Sequence, residues 1–165
     1  MSEPLSHLIE ALREELQQYG EMLALLDQQQ SLVMQRQTAE LAQSVAEINA
    51  QLEIIAVTRR AREDCQRHVA VNLQLAEDAT FKVLIPRLPE DYRPLVESLV
   101  QENNELLVRV QQRTRQNHLL LSHAVDLMQQ LINSMFPGAT PTTYDGAGRL
   151  PAYRMRESTL YEATG

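Results

Sequence analysis

Tryptophan is absent from this chain of 165 residues, phenylalanine occurs twice and aromatic residues make up only 4% of it. With rings this scarce and Leu, Gln, Glu, Arg and Ala dominant, the composition is that of long helices. A single cysteine, Cys65, excludes an internal disulfide. No run approaches the ~18 consecutive apolar residues of a membrane span. The opening Met1-Ser2-Glu3-Pro4 has neither the basic start nor the apolar run of a secretion signal, so the expected compartment is the cytoplasm. A net charge of -7 and a pI near 5.1 disfavour nucleic acid or an anionic membrane as partner, because the summed field would repel either.

Residues suited to catalysis or metal binding are just as sparse. A carboxylate-bridged di-iron bundle requires Glu-x-x-His pairs on facing helices, and the sequence contains none. His7, His68, His118 and His123 are scattered. Asp64 and His68 stand one turn apart, but a pair alone does not make a metal site. Gly146 and Gly148 lack the following helix that a nucleotide-binding loop requires, and no Ser or Cys lies in a nucleophile motif. The reading is a protein that is not an enzyme, with no catalytic residue, no metal and no cofactor.

What remains is an all-α pattern: an elongated antiparallel helical hairpin plus a long third helix, coiled-coil-like, with an irregular C-terminal tail. The first helix spans about 4–35 with a seam at Leu5, Ile9, Leu12, Leu16, Tyr19, Leu23, Leu26, Gln30 and Val33, in steps of four and three. Gly20 weakens it locally without ending it. Thr38 is the expected cap of a second helix, about 38–78, with Leu41, Val45, Ile48, Leu52 and Ile55 as its seam. The short connection favours an antiparallel pair. Past Ile55 the regular seam falls on Arg59 and Arg62, whereas Ala61, Cys65 and Val69 suggest a shifted one. The basic group Arg59, Arg60, Arg62 and Arg67 reads as a solvated face.

Pro86, Pro89 and Pro94 mark a linker at about 80–94, in which Phe81, Val83, Leu84 and Ile85 could lie on the bundle as an extended piece. The third helix, about 90–136, continues the seam through Tyr92, Val96, Leu99, Asn103, Leu106, Val110, Arg113, Asn117, Leu120, Ala124, Leu127 and Leu131. Polar residues at Asn103, Arg113 and Asn117 allow two readings: they fix helix register, or the middle of the helix overhangs its neighbours and is wet. The bundle thus occupies 1–136, and 137–165 form the tail.

Between Asn117 and Phe136 apolar side chains fill roughly half of the helix circumference, more than the stripe of about 100° that an ordinary surface helix hides. That surplus implies a groove for a helix of another molecule. The chain then reaches Pro137-Gly138 and a coil containing Thr143-Tyr144-Asp145-Gly146-Ala147-Gly148, in which Tyr144 either serves as a docking epitope or folds back onto the bundle end.

In this order of features, a leucine-seamed hairpin from Leu8 to Ile55, then Arg115-Gln116-Asn117-His118-Leu119-Leu120, then Thr143-Tyr144-Asp145-Gly146-Ala147-Gly148, the chain resembles the FlgN family of flagellar export chaperones. The resemblance covers most of the chain, although the proline-rich linker is longer than expected and Arg149 to Gly165 extends beyond the shared motif. It implies a cytoplasmic chaperone of the flagellar type III secretion system that binds the C-terminal helices of the hook-associated junction proteins and delivers them to the cytoplasmic domain of the export gate protein. It places substrate-protein binding on Asn117, Leu120, Leu121, Val125, Met128, Ile132 and Met135, and gate docking on Tyr144, Asp145 and Gly148. The alternative is a structural coiled-coil adaptor that self-associates as a homodimer through the apolar face of the third helix.

Overall fold

A computed structural model describes residues 3–135. Three long helices dominate it: α1 (Glu3–Met34), α2 (Thr38–Asn72) and α4 (Arg93–Met135), with a short α3 (Phe81–Leu84) and two 3-10 turns (Ile85–Arg87 and Glu90–Tyr92) between the second and third. No strand occurs among the described residues. Pro4 and Pro94 each lie in the first turn of their helix, where a missing N–H costs nothing. The expected all-α bundle is what forms.

Both hairpin helices end in the same way. Arg36 at φ 57 and Gln74 at φ 56 adopt the left-handed conformation. Gln37 N–H reaches back to Leu32 O and Arg36 N–H to Val33 O. Leu75 N–H to Ala70 O and Gln74 N–H to Val71 O repeat the pattern. These paired bonds satisfy the last carbonyls of each helix in a Schellman motif, normally closed by glycine. Without a glycine to announce it, the end of α2 falls at Asn72 instead of near 78. Thr38 is likewise the first helical residue, not the cap: Gln37 holds that place and makes no side-chain capping bond.

The packing centres on α1. It is antiparallel to α2 and parallel to α4, while α2 and α4 scarcely touch one another. The larger core lies where the N-terminal half of α1, the end of α2, the linker and the start of α4 converge: Leu5, Leu8, Ile9, Leu12, Val69, Ala70, Phe81, Leu84, Leu88, Val96, Leu99 and Val100 are all buried. A smaller cluster of Met22, Leu26 and Val110, flanked by Leu23, Ile48 and Ile55, lies further along. The linker is not extended. Phe81 and Leu84 plug the core from a single helical turn, and Leu88 follows from the 3-10 segment, whereas Val83 faces out. Gln66 holds it by donating to Ala79 O at 2.8 Å, as does Arg93 by donating to Leu88 O at 2.8 Å.

Between the two clusters the interior is polar, contrary to the seam expected for α2. Gln51 and Arg62 are buried there and Ser44 beyond the smaller cluster, while Val45 and Leu52 are exposed. Arg62 is therefore not part of a solvated face, and the regular seam does reach it. Its Nε lies 3.0 Å from Oε2 of Glu15, which is fully buried, and its guanidinium stands 5.9 Å from the centre of the Phe81 ring. Tyr19 donates to the other oxygen of Glu15 at 3.0 Å, and Arg62 donates onward to Gln66. A charge taken from water this completely is tolerated only when paired and hydrogen-bonded on all sides, which this network provides.

Candidate functional site: a helix that outruns its partner

The site is built on the register between α1 and α4. Asn103 Nδ2 donates to Leu12 O at 3.0 Å, and Asn117 Nδ2 donates to Leu26 O at 2.7 Å. The two asparagines are two heptads apart on α4, and their acceptors are two heptads apart on α1. Such spacing is that of a parallel coiled-coil pair held in a single alignment. Both asparagines are buried, at 0% and 2% exposure, so the middle of α4 is covered and not wet. Of the two readings of these polar seam residues, the register reading holds. Arg113 adds to it from the rim: Nε lies 2.7 Å from Oδ1 of Asp27, and Nη1 donates to Gln30 Oε1 at 2.6 Å.

Carried forward, that register sets Met34, the last residue of α1, level with Val125. Between Val125 and Met135 α4 runs on for roughly 15 Å. Its apolar face continues although α1 does not. Val125, Leu127, Met128, Leu131, Ile132 and Met135 are between 49% and 66% exposed. Leu120 and Leu121 are half-buried beside the last turns of α1. By the heptad repeat of Asn103, Val110 and Asn117, Ala124 and Leu131 come next in the seam, with Leu120 and Leu127 at its companion position and Leu121, Met128 and Met135 on the flank beside it. The bare strip is thus the continuation of the surface that α4 turns toward α1. Leu119, also exposed, projects from the opposite flank.

Of the residues implied as substrate-protein contacts, Val125, Met128, Ile132 and Met135 lie together and open to solvent, with Leu120 and Leu121 at the near end. Asn117 stands apart, since α1 occupies its amide: besides Leu26 O it donates to Gln29 Oε1 at 3.1 Å. Leu127 and Leu131 belong with the strip although the heptad pattern assigned them to an inner seam. Only the length of α1, itself legible in the sequence, could have shown that they have no partner. Tyr144, Asp145 and Gly148 lie outside the described residues.

Elsewhere the described residues contain no group of three or more His, Cys, Asp or Glu placed to hold a metal ion. Glu3, His7, Cys65 and His68 line a shallow hollow without converging. Burial, reinforced by the neighbouring Asp64 carboxylate, pushes the Cys65 thiol above its ordinary pKa, the opposite of what activates a nucleophilic cysteine. No described helix is long and apolar enough to cross a membrane.

The described residues define an all-α bundle whose last long helix is left uncovered over about its final three turns. The family model described as FlgN protein matches residues 1–152, and the chain belongs to that family, a family of flagellar export chaperones. Comparison with curated proteins and with solved structures gives no match.

Proposed function

We propose that the protein is a cytoplasmic export chaperone that binds the C-terminal helical segments of the hook-associated junction proteins, keeps them from assembling early and presents them to the cytoplasmic domain of the flagellar export gate. The observation that carries this reading is the uncovered strip from Val125 to Met135, with Leu121 half-buried at its near end. A segment that is disordered before assembly folds as an amphipathic helix when it finds an apolar groove, with anchors at i, i+3, i+4 and i+7. Leu121, Val125, Met128, Ile132 and Met135 supply that spacing on the receiving side. The guest helix takes the place along α4 that α1 vacates at Met34.

The energetics suit temporary custody. Each apolar side chain covered contributes ~1.5 to 3 kcal/mol, and ordering the guest costs ~2 to 5 kcal/mol or more. A few anchors therefore leave a net affinity around the micromolar range, tight enough to hold and weak enough to release. Met128 and Met135 are unbranched and polarizable, which lets one groove accept more than one related helix. Tyr144, with Asp145 and Gly148, supplies the contact with the gate.

Calorimetry with a junction-protein C-terminal segment tests the reading. A one-to-one complex is expected with the native chain, and no heat with Val125→Asp/Ile132→Asp, whose helicity stays native because both side chains face solvent. Equal affinity in that variant removes the strip from the site. A stable homodimer indifferent to the segment supports the self-associating adaptor instead. Tyr144→Ala is expected to keep segment binding and lose gate docking; the opposite result assigns the tail to the groove.

A further inference from the structure

We infer that Asn117 and Arg113 of α4, clasped to the last turns of α1, set the border between the helix surface the protein keeps for itself and the surface it offers to a guest. This rests on the reading of the strip as a guest-helix site, and concerns how that site is bounded. The apolar seam of α4 sets no such border. Val110, Leu120, Leu127 and Leu131 repeat one heptad grammar, and a guest that packs on Leu131 meets Val110 at the same heptad position three repeats back. The end of α1 is the weak point, because terminal turns open more readily than the middle of a helix. Leu32 and Val33 there are only half-buried. A guest entering over Met135 could zip toward the core by peeling α1 away.

The polar groups stop it at a fixed place. Asn117 donates to Leu26 O at 2.7 Å and Gln29 Oε1 at 3.1 Å, and Arg113 binds Asp27 at 2.7 Å and Gln30 at 2.6 Å. A guest with an apolar seam has backbone carbonyls to replace Leu26 O but no counterpart of Gln29 Oε1, Asp27 or Gln30, so advancing past Leu120 would strip the guanidinium of its partners and the buried amide of one of its two. Beyond Asn117 the next four seam positions are apolar: Leu120, Ala124, Leu127 and Leu131. Stability does not account for the asparagines. Oδ1 of Asn103 and Oδ1 of Asn117 are buried without a hydrogen-bond partner, a state that leucine would relieve. Asn117 chooses its partner at some cost in packing.

Hydrogen exchange on the full chain tests this, with a synthetic leucine-seamed helical peptide of about three heptads as the guest. In the native protein the peptide is expected to protect α4 from Leu121 onward and leave exchange in residues 23–34 of α1 unchanged. In Arg113→Leu/Asn117→Leu, the peptide is expected to accelerate exchange in those α1 turns roughly tenfold and to extend its own footprint back to Val110. Asn117→Leu alone should give a smaller shift in the same direction. Swapping the charged pair, Asp27→Arg with Arg113→Asp, should restore the native border. Unchanged α1 exchange in the peptide-bound double variant overturns the clasp while leaving the strip reading intact. Fast α1 exchange in that variant without peptide also overturns it, by making the clasp a mere staple. No protection of native α4 by the peptide removes both readings together.

Discussion

From Val96 to Asn117 the seam of α4 is covered; from Val125 to Met135 the same helix, with large apolar residues still at seam spacing, is bare. The two halves do not differ in hydrophobic grammar. They differ in what stands opposite them: α1 accompanies the first half in a register fixed by Asn103 and Asn117, and ends before the second. The polar residues that α1 engages, Asn103, Arg113 and Asn117, are all in the covered half. Whether a heptad seam is core or docking surface is therefore decided by the length of its neighbour, and the seam meant for the molecule itself is the one marked with polar residues.

The largest effect is expected where the covered half depends on a buried charge. Arg62→Ala leaves Glu15, fully buried, without its 3.0 Å partner, and also removes the cation beside Phe81 that ties the linker to the hairpin. Breaking such a pair from one side costs about 3 to 5 kcal/mol. Urea unfolding should show a loss of that size. A loss under about 1 kcal/mol, the value of an exposed pair, would mean that water reaches Glu15 and that the middle of the bundle is open.

A more direct comparison sets Leu99 against Leu127. They occupy the same heptad position four repeats apart, one 6% exposed and the other 66%. Leu99→Ala is expected to cost about 2 to 5 kcal/mol, as a core truncation does, and Leu127→Ala within about 0.5 kcal/mol of nothing. For binding the order reverses: Leu127→Ala weakens capture of a guest helix, while Leu99→Ala leaves it alone in the fraction that is folded. Equal stability losses at both positions would show that the strip is covered in solution by something of the protein's own.

The seam of α1, the antiparallel hairpin and the register role open to Asn103 and Asn117 were legible because apolar spacing and seam polarity are local signals. The polar middle was not. Arg62 sits in a run of four arginines among acids, a context that reads as solvated, and only its pairing with Glu15 on a different helix takes it inside. The same holds for Gln51, which reaches across to Gln18 Oε1 at 2.7 Å, while Val45 and Leu52 of the expected seam face out and only Ile48 and Ile55 of it pack on the smaller cluster. The end of α2 escaped notice because Gln74 takes the conformation that glycine usually supplies. The strip was visible as excess apolar girth, but its inner edge was not. That edge depends on where Met34 falls relative to Val125, a matter of register between distant segments.

The smallest expected effects separate α1 as a covering element from the strip it leaves free. Gly20 lies inside α1 with nothing within 4 Å of where a Cβ would stand. Gly20→Ala therefore fills open space, removes the flexibility of a mid-helix glycine, and is expected to add about 1 kcal/mol. Arg36 has the opposite problem, since a side chain there bears the cost of φ 57 at the end of the same helix. Arg36→Gly relieves that strain but gives the unfolded chain more freedom, so the net gain is expected to be smaller, about 0.5 kcal/mol. Neither position touches α4 beyond Leu121, so both variants should raise the melting temperature while guest affinity stays the same. A shift in affinity from either change would mean that the guest contacts α1, and that the groove has two walls where the apolar face of α4 alone supplies one.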